Sequence, residues 1–404
     1  MKKYILSERV NLFEPNDYIQ LLVQFKSPAV SSDAGKLADA VKRAYMFNES
    51  TMSKIVLEEN GDAYYEKMEK SGCKVMIREE NFEDIIRENE KIPFRLEDGE
   101  LMRVFVILQG SKLSLLIMAH HLAGDGKSMV YFLEDVMRIF VGQKAEYKPM
   151  KTVTDDFFPA KTKLPAKVRL YVNGVNRKWK KKGQSFSWED YYHVHKAYWE
   201  THSSCFEYKI ISGEEFDRIK ADAKRTGVSV NSYLVTTCLK ERGKGRKNVL
   251  GIPVDVREND TSMSNQVSGI SIKYKYLENK TIEENAVNVH NKIYKNLGNP
   301  RMKYFVLRFI AALEPSLIDS VLLCTHGCYQ NPVSEKLAGV MGYMGDKTKD
   351  LGVTNLGKIG IPSVYGEYEI GRIMFFPPAV SYAKEIVGVV STGGACVMTH
   401  RFSK

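Results

Sequence analysis

The sequence predicts a mixed α/β protein of two lobes, and three observations carry that expectation. The chain has 404 residues, and single hydrophobic cores stop growing at about 250–300 residues. Strand-like and helix-like periodicities alternate along it, which predicts mixed sheets covered by helices. The same rhythm recurs on either side of a lysine-rich stretch, although no internal repeat proves duplication. The boundaries drawn are 1–160 for a first lobe, 161–200 for a basic connector and 201–404 for a second lobe.

The first lobe opens with a polar stretch. Leu37, Ala38, Ala40, Val41 and Ala44 then recur at helical spacing. Glu58-Glu59-Asn60-Gly61-Asp62 reads as a turn, residues 73–78 as a strand and 82–89 as a helix. Strands at 101–108 and 113–119 flank a hairpin turn, Gln109-Gly110-Ser111-Lys112. Gly124-Asp125-Gly126 is a turn, after which Met129, Val130, Leu133, Val136, Met137 and Phe140 mark one face of a helix closed by Gly142. In the connector, Tyr171, Val172, Val175 and Trp179 fall at helical spacing. The second lobe begins with a strand at 205–211 and a capping box at Ser212 and Glu215. A helix at 230–239, strands at 248–256, 266–276 and 352–356, and a hairpin of 387–392 with 396–401 complete it.

Composition excludes several classes. An apolar fraction of 44% with 27% charged residues is that of a globular protein. No run of about 18 apolar residues suits a membrane helix; residues 305–324 carry Arg308, Glu314, Pro315 and Asp319, and read as two packed helices. Ser7-Glu8-Arg9 ends the N-terminal apolar run too early for a signal peptide, so a cytoplasmic protein is expected. Six scattered cysteines do not form a disulfide framework. Cys324, His326 and Cys328 make half a metal site without a second pair, and His193 and His195, on one strand face, lack further ligands, so no metal is expected. Gly339 to Gly342 and Gly393-Gly394 are turns, with no phosphate-binding or dinucleotide fingerprint.

The net charge of +10 is concentrated rather than spread. Residues 157–188 hold no Asp or Glu but carry Lys161, Lys163, Lys167, Arg169, Arg177, Lys178, Lys180, Lys181 and Lys182. The lobes are therefore nearly neutral, and the aromatic residues are not interleaved with base-reading arginines, so no nucleic-acid partner is expected. The connector suits an acidic carrier protein, an anionic membrane surface with Trp179 at the interface, or a solvated linker.

Chemistry concentrates in His120-His121-Leu122-Ala123-Gly124-Asp125-Gly126, placed between a buried strand and a helix. A histidine held at a rigid strand end takes protons from alcohols or amines near neutral pH. The His-x-x-x-Asp spacing alone also fits two metal ligands, or a histidine that merely caps. No Ser or Cys nucleophile stands beside the histidines.

The run resembles the His-His-x-x-x-Asp-Gly signature of the chloramphenicol acetyltransferase-like superfamily, which includes condensation domains, polyketide-associated acyltransferases, wax ester synthases and alcohol acetyltransferases. It matches at every fixed position. Pro93-Phe94-Arg95-Leu96 with Gly99 and Arg103-Val104, Pro253-Val254-Asp255-Val256-Arg257 with Asn265-Gln266-Val267-Ser268, and Val353-Thr354-Asn355-Leu356-Gly357 are similar to other segments of these proteins, in chain order. Together the matches span roughly residues 90–360.

The resemblance implies two chloramphenicol acetyltransferase-like lobes arranged as a V, with a tunnel between them. It implies an acyltransferase for groups other than amino-acyl, working in natural-product or lipid biosynthesis as a monomer. His121 would be the base that lets an alcohol or amine attack a thioester carbonyl directly, and His120 would be structural. Asp125, with Gly126, would hold the turn by pairing with an arginine. The early arginine that many condensation domains use is missing from residues 51–56, which leaves Lys54 or Arg257 as the partner. Asn265, Ser268 and Asn355 are candidate substrate or oxyanion donors. The thioester, acyl-coenzyme A or a phosphopantetheinyl carrier, would be a co-substrate, with no cofactor permanently bound and an acyl or peptidyl carrier protein as a possible partner. The competing reading is a non-catalytic, condensation-like binding or carrier-docking module.

Overall fold

The computed structural model describes residues 2–242 and 246–403; Met1, Gly243 to Gly245 and Lys404 lie outside the described residues. In the first half the strands are β1 (Lys3–Tyr4), β2 (Tyr18–Phe25), β3 (Ser53–Leu57), β4 (Ala63–Lys67), β5 (Lys74–Arg78), β6 (Met102–Gln109) and β7 (Lys112–His120). The helices are α1 (Ser31–Tyr45), α2 (Phe82–Asn89), α3 (Gly126–Phe140), α4 (Ala166–Lys180) and α5 (Trp188–Thr201). The second half adds β8 (Ser204–Ile211), β9 (Lys247–Asp255), β10 (Val267–Lys275), β11 (Leu351–Lys358), β12 (Val364–Tyr365), β13 (Tyr368–Phe376), β14 (Ile386–Thr392) and β15 (Ala395–Ser403). Its helices are α6 (Gly213–Thr226), α7 (Val230–Arg242), α8 (Ile282–Leu297), α9 (Pro300–Lys303), α10 (Phe305–Ala311), α11 (Pro315–Thr325) and α12 (Pro332–Met341). No helix among the described residues is long and apolar enough to cross a membrane.

Two six-stranded mixed sheets form the frame, in the orders β12-β13-β2-β7-β6-β5 and β10-β9-β11-β14-β15-β8, beside a small sheet β1-β4-β3. The sequence reading of the 101–119 hairpin holds: Gly110 supplies the positive φ of +60° that the turn needs. β7 is buried on both faces because it is central, between β2 and β6. α1 and α3 pack on each other, α1 on β5 and β6, and α3 on β2.

Three expectations are corrected. The polar opening stretch contains β2, a central strand; Gln20 and Gln24 interrupt its apolar run and hid it, and buried Gln20 is satisfied by Glu90 and Arg401. The segment carrying His193 and His195 is helix α5, started by a capping box at Ser187, not a strand; residues two apart on a helix do not share a face, so His193 is exposed and His195 buried. The boundary near residue 200 does not separate two cores. β12 and β13 belong to the first lobe's sheet, where β13 pairs with β2. Leu317, Ile318, Val321 and Leu322 of α11 join the same core as the first-lobe strands. A fully buried ion pair, Arg9 with Asp319 at 2.5 Å, ties the N-terminal segment to α11. Arg401 of β15 reaches Glu90 and Gln20 in the same manner.

Candidate active site

His121 stands where β7 ends. Its backbone N–H donates to the Asp17 carbonyl at 3.1 Å, which anchors the residue to the start of β2. Across the boundary between the sheets, the Asn265 side chain grips it twice. Asn265 Nδ2 donates to the His121 carbonyl at 2.6 Å, and Asn265 Oδ1 lies 2.8 Å from His121 Nδ1. The first contact requires the amide NH₂ to face the carbonyl, so the other amide atom is an oxygen and accepts. Nδ1 therefore carries the ring proton, and Nε2 keeps its lone pair. Among the described residues no hydrogen bond engages Nε2, and the ring is half-buried.

His120 is fully buried. Its Nδ1 accepts from the Leu122 backbone N–H at 3.2 Å, and burial, helped by His121, His195 and Arg103, pushes its pKa down to about 3. It is a neutral residue packed against Tyr18 and Phe94.

Asp125 does not touch the His121 ring. It caps α3, with Oδ1 accepting from the backbone N–H of Lys127 and of Ser128, both at 3.1 Å. Oδ2 pairs with Arg257 at 2.7 Å and accepts from Gln266 N–H at 3.1 Å. Arg257, not Lys54, is therefore the partner of Asp125; Lys54 pairs with Glu66. Asp125 and Arg257 are both buried at the side chain, so the pair fastens the turn of one lobe to the strand end of the other. A side chain at either flanking glycine would crowd its neighbours. Gly124 has φ +148°, and a Cβ there would lie 2.6 Å from Ser128 Cβ. A Cβ on Gly126 would lie 2.8 Å from Leu356 and 3.1 Å from the Phe375 ring, on β11 and β13.

The three oxyanion candidates separate. Asn265 is committed to His121. Asn355 donates to the Asn231 side-chain oxygen at 3.0 Å and accepts from Gly357 N–H at 2.7 Å, at a bulge in β11, so both ends of its amide are committed. Ser268 alone keeps a buried hydroxyl without a partner among the described residues. Beyond this group, a cavity of about 390 Å³ is lined by Asn16, Tyr198, His326, Tyr343, Ser381 and Lys384, among others. There Ser381 donates to Glu14 at 2.6 Å, and His326 Nε2 lies 3.3 Å from the same carboxylate. His121 is not among the residues lining this cavity.

No family model and no curated protein matches the sequence. Solved structures do match along the whole chain. The first condensation domain of the calcium-dependent antibiotic synthetase, in complex with a substrate analogue, is 13% identical with a TM-score of 0.65, covering 100% of this chain and 91% of that one. Trichothecene 15-O-acetyltransferase from Fusarium sporotrichioides is 12% identical with a TM-score of 0.65, covering 99% and 90%. Polyketide synthase associated protein 5 from Mycobacterium tuberculosis is 12% identical with a TM-score of 0.58, covering 100% and 92%. The chain has the fold of these condensation-domain and acetyltransferase structures, the fold that the resemblance of the His120–Gly126 run implied.

Proposed function

We propose that this chain is an acyltransferase that moves an acyl group from a thioester to the hydroxyl or amine of a small acceptor, with His121 as general base. One observation carries the reading: Asn265 holds the Nδ1–H tautomer, so a lone pair stands on Nε2 at a half-buried strand end. The acceptor gives its proton to Nε2 while its oxygen or nitrogen attacks the thioester carbonyl carbon. Ser268 is the oxyanion donor in this scheme, since its hydroxyl is buried and uncommitted. Collapse breaks the C–S bond, and the imidazolium returns the proton to the leaving thiolate. Ester or amide and free thiol are released, and His121 is again neutral. No serine or cysteine side chain is hydrogen-bonded to His121 among the described residues, which supports direct transfer.

The donor is an acyl thioester of coenzyme A or of a carrier's phosphopantetheine arm, used as a co-substrate by a cytoplasmic monomer. The likeness to condensation domains and an O-acetyltransferase supports the reaction class. The test is thiol release from a panel of short and long acyl thioesters, free and carrier-bound, with alcohol and amine acceptors. His121→Ala is expected to slow the reaction at least about a hundredfold, the usual scale for losing a general base. Near-normal turnover in that variant removes His121 from the mechanism. Absence of thiol release by the unaltered chain with every donor favours the non-catalytic docking module.

A further inference from the structure

Asp17 is a buried carboxyl that proton transfer to His121 does not itself use. Tyr18 pairs with His120 in the β2–β7 register, and the His121 N–H to Asp17 carbonyl bond of 3.1 Å extends that ladder by one step. His121 itself opens a short 3-10 turn just past the strand, so this backbone bond joins Asp17 to the first residue of that turn, and the His121 imidazole lies within electrostatic reach of the Asp17 carboxyl.

Asp17 is 1% exposed, and its Oδ1 is buried with no hydrogen-bond partner among the described residues. A carboxyl in that position is costly unless something compensates it. The titratable groups that act on it or feel it are His121, Glu14, Tyr18, Tyr343 and Tyr382. Glu14 is already served by the Ser381 hydroxyl and lies beside His326. The three tyrosines are held neutral, chiefly by burial. Within this group only His121 acquires positive charge beside Asp17. Burial pushes Asp17 up to about 7, His121 pulls it back down, and Glu14 pushes it up.

We propose that Asp17 is a positioning residue of the acyl transfer, its carboxylate supplying the counter-charge that steadies His121 as an imidazolium between taking the acceptor's proton and passing it to the thiolate. This rests on His121 being the base. No proton moves to Asp17 in the step; its charge acts on the neighbouring imidazole across the strand end.

The experiment reads His121 without any substrate. Carbethoxylation of His121 by diethyl pyrocarbonate, followed by peptide mass spectrometry across pH 5–9, reports the free imidazole. An opposite charge within about 4–6 Å shifts a titration by about 1–3 units. In Asp17→Asn the midpoint of His121 labelling is expected to move to lower pH by about one unit, and the acidic limb of kcat/KM to move with it. Asp17→Ser, neutral and smaller, is the second variant should the Asn variant fold poorly. Superimposable labelling curves for the unaltered chain and a folded neutral variant overturn the proposal. A displaced curve without thioester turnover sinks the acyltransferase reading while leaving the Asp17–His121 coupling in place. Turnover with undisplaced curves does the reverse.

Discussion

Asn265 lies on the far side of the sequence from His121, yet its amide decides which ring nitrogen of His121 is basic. The His120–Gly126 run was legible because its residue types are consecutive and their backbone demands are local: a strand end, a glycine at φ +148° and a capping aspartate. Arg257 was one of two partners named for Asp125, and the contact geometry selects it. Asp17 carried no signal at all, since strand register alone brings it beside His121.

Buried histidines at this scale make stability depend on pH. Burial pushes His120 down to about 3 and His195 to about 4, whereas in the unfolded chain both titrate near about 6.5. Below that value the unfolded state binds more protons, so their contribution is full above about pH 6.5 and is lost as pH falls through 4 and 3. Glu8 and Asp17, pushed up to about 7 mainly by burial, act oppositely: their contribution is present below the ordinary carboxylate range and lost as pH rises through 7. His195→Gln is expected to lose less stability between pH 7 and pH 5 than the unaltered chain in urea titrations. An identical loss in both proteins would show that folding does not lower the pKa of His195.

Helix α4 shows how an element can be read in the right place and given the wrong surface. Its apolar stripe does not face outward: Val172 and Trp179 are buried, and Trp179 Nε1 donates to Ser316 at 2.9 Å while its ring stacks with Phe186. The solvent side of the helix and its C-terminal end are basic, with Lys167, Arg169, Arg177, Lys178, Lys181 and Lys182 exposed. With Trp179 inside the fold, it cannot serve as an interfacial anchor, and the exposed charge suits an acidic protein better than insertion into lipid. Trp179→Ala is expected to cost about 3–5 kcal/mol of stability, measured by chemical unfolding. In flotation, binding to anionic vesicles should be weak and should vanish by about 0.5 M salt, where screening is nearly complete. Salt-resistant flotation that Trp179→Ala abolishes would restore the interfacial reading.

At the scale of the whole molecule, the two lobes are interlocked rather than strung in sequence. β13 leaves the second half to pair with β2, and Arg401 of the last strand is buried against Glu90 of the first lobe. A fragment ending near residue 200 would lack β12 and β13 and would expose the apolar edge of β2, a template for aggregation. Such a fragment is expected to be insoluble or to lack a cooperative melt; a soluble, cooperatively unfolding one would show that the first lobe is self-sufficient. By contrast, Arg257 and Asn265 come from the second half to a turn and a histidine in the first, so the site exists only where both halves meet.

The amino-acid sequence by itself determined the α/β class, most helices and strands, and the His120–Gly126 run, because local periodicity, turn glycines and caps act over a few residues. Tertiary structure decided what depends on distant partners. It showed that β2 is central despite its glutamines, that Trp179 packs inward, that Arg257 takes Asp125, and that the Asp17 backbone carbonyl accepts from the His121 N–H. Each is fixed by which surfaces meet on folding and by the cost of leaving a buried polar group unpaired, and neither quantity is written in any local stretch of chain.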